Sequence, residues 1–378
     1  MHRRRLLIGL GALALAACSA TGPRRARLLS RLDRGQRHLA GEDLSGLELR
    51  RLDLSGADLS GSRLDGTDLR GADLRGANLR HARLDGTDLR GADLRGADLS
   101  EAHLRDTRLD GASLGGARLQ GARLQDLHWR DINARGILAQ HSHWLRCHLE
   151  NGNLQGSDLR HAHLEEQQWE RLDLRESDFS RSRLQRGLGE SLHLARSLWN
   201  HARWKSLEWR GADLRHTDLT RLEGEGVRLP EARLEGCHAE GLHLPGAELR
   251  GCLLRGARLQ GADLSDARLH RADLHQATLR RAQLRDARLP QANLSGTDLT
   301  GALLLRADLR GTSLRRATLQ GADLRRADLR GADLSGARLA GADFYRADLH
   351  QARLAGALGL SQAKNLDRAL GVEALYLR

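Results

Sequence analysis

From Leu44 onward one residue in five is large and apolar, and the series runs to Leu354 without insertion or deletion. Two places before each of these the residue is usually small, as at Ala57, Thr67, Ala72 and Ala77. Between them stands a polar residue, often Asp58, Asp68 or Asp73 in type. A period of five matches neither 3.6 nor 2, so a helix or an ordinary strand would scatter these leucines around its axis. A chain that turns every five residues keeps them all inside. The pattern therefore predicts an all-β solenoid built on a leucine ladder. Residues 64–77 recur verbatim at 84–97. A duplication by one whole coil leaves every side in register, so the coil is twenty residues long, with four five-residue sides. Stacked about 4.8 Å apart, the repeats make roughly sixteen coils and a rod of roughly 75 Å.

Segments such as Ala72-Asp73-Leu74-Arg75-Gly76 resemble the A-[DN]-L-x-x consensus of the pentapeptide-repeat family over roughly residues 42–358. The resemblance implies a right-handed quadrilateral β-helix. Residues 359–378 are expected to cap it. There Ser361 is placed to N-cap a short helix through about Leu370, with Gly371 as the stop. A homodimer through this cap is one expected association. Residues 18–41 carry Leu28, Leu29, Leu32 and Leu39 among six arginines. This arm reads as an amphipathic helix covering the first coil, as a flexible basic tether beside a membrane, or as a disordered linker.

Thirteen ladder positions are not leucine, and all six tryptophans are among them, with Phe179 and Phe344. Their phase puts them in the core rather than in a ligand site. Trp169 and Trp209 flank Gly189 one coil away on each side, and Ala134 and Ala139 lie between Trp129 and Trp144, so large and small volumes compensate. Trp199, Trp204 and Trp209 crowd one coil and Gly224 leaves a gap beyond. Residues 187–246 are therefore expected to be the least regular stretch. Cys147, Cys237 and Cys252 fall at the small inward position, in different places of the coil, and read as core residues without disulfide or metal.

The chain begins with Arg3-Arg4-Arg5, an apolar run from Leu6 to Ala17, and Cys18. The run is too short to span a bilayer and suits a signal peptide over 1–17. Leu15-Ala16-Ala17-Cys18 resembles a bacterial lipobox, which implies lipidation at Cys18. Ser19 after the cysteine resembles sorting to the periplasmic face of the outer membrane. Arg3-Arg4-Arg5-Leu6-Leu7 weakly resembles a twin-arginine signal.

Of the net charge of +12, three charges sit in residues 1–22, five in 23–41 and one in 355–378, which leaves +3 on the body. A nearly balanced rod is not a polyanion surface by net charge alone. It also opposes the alternative, a DNA-mimicking, topoisomerase-binding member of the family, which needs an acidic rod. No nucleophile elbow, Walker loop, HExxH or paired CxxC is present, so the chain is not read as an enzyme and no cofactor is expected. What remains is a structural or interaction scaffold tethered by lipid. With twenty-residue coils, Arg63, Arg83, His103, Arg123, His143, His163, Arg183 and Arg203 line one edge, and Glu223 ends the run. Such a ridge suits an anionic envelope polymer or a carboxylate-rich partner, and its histidines should strengthen it as pH falls. Asp65, Asp85, Asp106, Asp126, Glu165 and Glu166 stand close enough to neutralise it. His128/His148 and His141/His161 stack in the same way, but two imidazoles do not close a metal site, so no metal is expected.

Overall fold

The computed structural model describes residues 22–372. The lipidation candidate Cys18 and the signal segment lie outside the described residues. Parallel bridges link residues twenty apart, from His38↔Asp58 to Arg338↔Leu358. Four such ladders run side by side, as at Asp43↔Arg63, Glu48↔Asp68, Asp53↔Asp73 and Asp58↔Asn78. The molecule is a β-solenoid with little helix.

The bonding explains the five-residue unit. Asp73 donates its N–H down to the Leu52 carbonyl at 2.9 Å, and Leu74 donates up to the Asp93 carbonyl at 2.7 Å. Leu74 points inward with no exposure. Two residues later the chain turns a corner, closed by a bond from the Ala77 N–H to the Leu74 carbonyl at 3.0 Å. The second corner residue, here Gly76, is left-handed at φ 61°. That conformation favours glycine, which is why the repeats so often carry one there. The small residue that follows lets the next side start close to the axis.

Between residues 103 and 225 two of the ladders widen into three-residue strands. One parallel sheet has seven, from His103–Arg105 to Glu223–Glu225, and the other has five, from His128–Arg130 to Glu208–Arg210. The corners after these strands lack the close turn bond seen at Ala77. Most carry a bulky residue at the normally small position: Leu127, Ile132, Gln167, Leu172, Leu192, Leu207 and Val227. Each is buried, so the corner opens to make room. The irregular stretch therefore starts about four coils before the expected 187–246 and ends at Val227.

The aromatic core fits within this stretch. The Trp199, Trp204 and Trp209 rings meet edge to face, with centroids 5.1–5.7 Å apart, a favourable aromatic geometry. Trp169 and Trp209 stack at 5.8 Å across Gly189. Trp144 and Trp199 each donate an indole N–H to a serine two residues earlier, Ser142 and Ser197, at 2.7 and 2.8 Å. The gap expected at Gly224 is largely taken up by Leu244 and Val227, which leave no room for a Cβ there. What remains nearby is an apolar cavity of about 20 Å³ lined by residues including Trp204, Leu219, Ala239 and Leu244.

Both ends correct the sequence reading. The solenoid begins at His38 and Leu39, not at residue 42, and Leu39 is fully buried. Arg37 occupies its small position, which hides the repeat. Of the three readings of the arm, the helical cap is the one formed. Helix α1 spans Gly22–Asp33 and buries Leu28 and Leu32, four residues apart on one face. It stops at Gly35, whose φ is 75° and whose N–H bonds the Leu32 carbonyl at 2.8 Å. The first coil leaves downward-facing carbonyls that have no coil beneath them. Arg24 bonds that of Asp43, Arg25 that of Glu48 at 2.7 Å, Arg37 that of Asp53 and Arg31 that of His38 at 2.8 Å. Buried or terminal carbonyls need such partners, and four sides are served by four donors. The basic arm is thus an edge cover.

At the other end no helix runs from Ser361 to Leu370. Two single 3-10 turns form instead, Leu360–Gln362 and Leu366–Arg368. The reason is the ladder. Phe344 and Leu349 each have an N–H needing an acceptor, and Lys364 and Leu370 supply it at 2.9 Å. The chain must stay extended at both places, so only short turns fit between them.

Candidate functional site

Asp and Arg on the rod surface are mostly spent on one another. Asp73 accepts the Arg75 N–H at 3.1 Å and the Arg75 Nε at 2.9 Å. The same two-residue pairing recurs at Asp88/Arg90, Asp158/Arg160, Asp213/Arg215, Asp308/Arg310 and Asp328/Arg330. The Arg75 guanidinium, and then its N–H, hold the Asp73 carboxyl down at about 2. A carboxylate that braces its own corner and neutralises its neighbour explains the A-D-L-R unit physically.

The predicted ridge is in register throughout. Arg63↔Arg83, Arg83↔His103, His103↔Arg123, Arg123↔His143, His143↔His163, His163↔Arg183 and Arg183↔Arg203 are bridge partners, and all eight side chains face solvent. Glu223 closes the run, bonded to Arg203 at 3.1 Å. The neutralising carboxylates act only at the lower end. Asp65 lies 3.6 Å from Arg63 and 3.7 Å from Arg83, and Asp85 lies 3.4 Å from Arg83. Further up they are engaged elsewhere: Asp126 with Arg146, and Glu165 and Glu166 with Arg186. Asp106 faces Arg105 at 3.9 Å. Among the described residues, Arg123 and Arg183 have no carboxylate partner within 4 Å.

A second column, missed as such in the sequence, flanks this part. His141, His161, Arg181, His201 and Arg221 hold the corner two residues before the ridge residues, all with φ between 53° and 60°. His141 and His161 stack at 4.8 Å with rings 5° from parallel, and His143 and His163 stack at 4.9 Å. The signal was the same twenty-residue offset applied to the corner position. Desolvation, then the neighbouring His143 and Arg183, holds His163 below its ordinary range; desolvation, then His141 and Arg181, does the same to His161. These two gain charge only at a pH below the usual imidazole midpoint, which narrows the expected strengthening at falling pH.

Among the described residues, Cys147, Cys237 and Cys252 are buried free thiols. Burial pushes each up to about 12, so they are unreactive core residues. One further cluster escaped the sequence reading: His148, Glu150 and Glu170 bring donor atoms within 4.8 Å of one another.

The sequence model of the family described as pentapeptide repeats matches residues 53–91, 87–126, 153–186, 232–271, 267–305, 292–331 and 322–358. The chain belongs to the pentapeptide-repeat family. Pentapeptide-repeat proteins are generally non-catalytic structural proteins. The matches skip 127–152 and 187–231, which hold five of the six tryptophans and many of the opened corners. Solved pentapeptide-repeat structures similar to this chain include HetL, involved in heterocyst differentiation regulation in the cyanobacterium Nostoc sp. strain PCC 7120. It is 25% identical, with 91% of this chain and 93% of that one covered, at a TM-score of 0.25. A pentapeptide-repeat protein of the Arabidopsis thaliana thylakoid lumen is 32% identical over 26% of this chain and 63% of its own, at a TM-score of 0.22. QnrB1, a plasmid-mediated fluoroquinolone resistance protein, is 19% identical over 46% and 97%, at a TM-score of 0.25. No curated protein matches the chain. No helix among the described residues is long and apolar enough to cross a membrane.

Proposed function

We propose that this pentapeptide-repeat scaffold is a non-catalytic interaction rod, right-handed and four-sided, of about sixteen coils. Lipid on Cys18 holds it at the periplasmic face of an outer membrane. Its upper ridge, Arg123 to Arg203 with the His141–Arg221 column beside it, meets an anionic envelope polymer or a carboxylate-rich partner. The observation that carries this reading is the state of the nearby carboxylates. On a surface where most arginines have an acid partner, Arg123 and Arg183 have none within 4 Å, and the acids that would serve them are bonded to Arg146 and Arg186. Two arginines without acid partners, in register on a rigid backbone with two stacked histidines between them, are pre-organised for a linear polyanion.

The test is a triple reversal, Arg123→Glu, Arg183→Glu and Arg203→Glu, measured against polyglutamate and against photocrosslinked partners in the envelope. Binding should fall at least tenfold and crosslinks along this edge should vanish, while thermal stability stays within about 1 kcal/mol, as expected for exposed residues. Wild-type binding should also rise once pH falls below the usual imidazole midpoint, where His161 and His163, held low by desolvation and by their neighbours, take up protons. Unchanged capture by the triple variant sinks the proposal. The anchor is tested separately. A palmitate analogue should label the wild type and not Cys18→Ser; equal labelling of both removes the lipid from this picture.

A further inference from the structure

We propose that His148, Glu150 and Glu170 form a binding site for a divalent transition-metal ion, a property independent of the ridge. His148 and Glu150 flank the inward Leu149 on one three-residue strand, so both point out from the same side. The next coil's strand, Gln168–Glu170, pairs with it in parallel register, which sets Glu170 against Glu150 and Trp169 against Leu149. The two strands are fixed by the buried core behind them. All three donor side chains are half-buried, and their ligating atoms lie within 4.8 Å of one another. Modest rotamer changes close that spread to the separation that metal–ligand bonds of about 2.0–2.2 Å require. His128 sits in register one coil below, its ring 5.8 Å from that of His148, within reach as a fourth donor.

The donor set selects the ion. One imidazole and two carboxylates suit zinc and its neighbours; calcium and magnesium prefer oxygen alone. The electrostatics point the same way. Two carboxylates one coil apart need a shared cation, and in this structure Arg171 supplies it. Its guanidinium bonds Glu150 at 2.5 Å and also bonds Glu170, while its Nε holds Asn151 at 2.6 Å. Arg130 lies 3.0 Å from the other Glu150 oxygen. Arg171 is on an exposed corner, with about half its side chain in solvent, so it can swing away. Metal and guanidinium compete for the same two carboxylates.

That competition makes the test directional. The purified full chain is titrated with zinc chloride by calorimetry and with cobalt(II) by visible absorption. One site per chain is expected. His148→Gln and Glu170→Gln should each remove it, and Arg171→Gln should tighten it about tenfold, the scale at which groups around a metal's ligands act. With eighteen histidines on the chain, stray coordination is the rival outcome. Binding that survives His148→Gln, or that does not tighten in Arg171→Gln, overturns the proposal.

Discussion

A Leu274→Arg variant should lose the fold around its own coil while the ends of the rod persist. Leu274 is fully buried, in the regular part of the ladder, with Leu254 and Leu294 in the coils on either side. A guanidinium there has no carboxylate to meet and no route to water without opening a side. Leaving a buried charge unpaired costs about 3–5 kcal/mol, against about 2–5 kcal/mol for the cavity left by Leu274→Ala. Because each coil contacts only its neighbours, the damage stays local at first. Urea unfolding should split into two transitions, and limited proteolysis should cut near residue 274 before anywhere else in 232–354. A single transition at the wild-type midpoint would contradict the ladder as the source of stability. The surface sets the contrast. Arg280→Ala, whose partner Asp298 lies 3.8 Å away in solvent, should shift stability by less than about 0.5 kcal/mol.

Restoring the repeat can also do harm. Gly189→Leu gives a ladder position the residue that most of the others carry, yet it should destabilise the protein by about 1–3 kcal/mol or more, the scale of overpacking. A Cβ at Gly189 would lie 2.6 Å from Leu192 Cδ1 and closer still to the Trp209 ring. That space belongs to the stacked Trp169 and Trp209. Trp209→Leu in the same chain should relieve the clash, so the double variant should melt higher than Gly189→Leu alone. The coupling shows in a double-mutant cycle by thermal unfolding. If Gly189→Leu is as stable as the wild type, the volumes are not compensating across coils.

The core was legible because phase alone decides it. A residue five, ten or two hundred places from Leu44 points inward whatever its type, which is why the six tryptophans and three cysteines could be placed from the sequence. What phase does not carry was missed. Leu39 keeps the spacing, but Arg37 breaks the small-residue rule, so the first side went unseen. That Arg24 and Arg25 would reach carbonyls about twenty residues on depends on where α1 sits, and no periodicity encodes a helix's placement. The opened corners start earlier than expected because bulky residues at the small position, Leu127 and Ile132, open them well before the tryptophan cluster is reached. The ridge was found by its offset of twenty, but its free stretch emerged only with the rotamers of Arg146 and Arg186, which withdraw Asp126, Glu165 and Glu166. His148, Glu150 and Glu170 obey offsets of two and twenty, so the same arithmetic contained them.

The four ladders, each closing after twenty residues, also divide mutations of length into two kinds. Adding or removing twenty residues moves one end of the rod along its axis and leaves every surface column facing the way it did. The repeat of 64–77 at 84–97 has the form of such an event. Adding or removing five keeps every leucine inward and the stack intact, but it turns everything beyond the change by a quarter of a revolution. Above such a point the upper ridge would face a different direction from the lower one, on a protein just as stable. Orientation of the displayed surface is thus a separate inherited variable, set in quarter-turn clicks and independent of the core that holds the rod together.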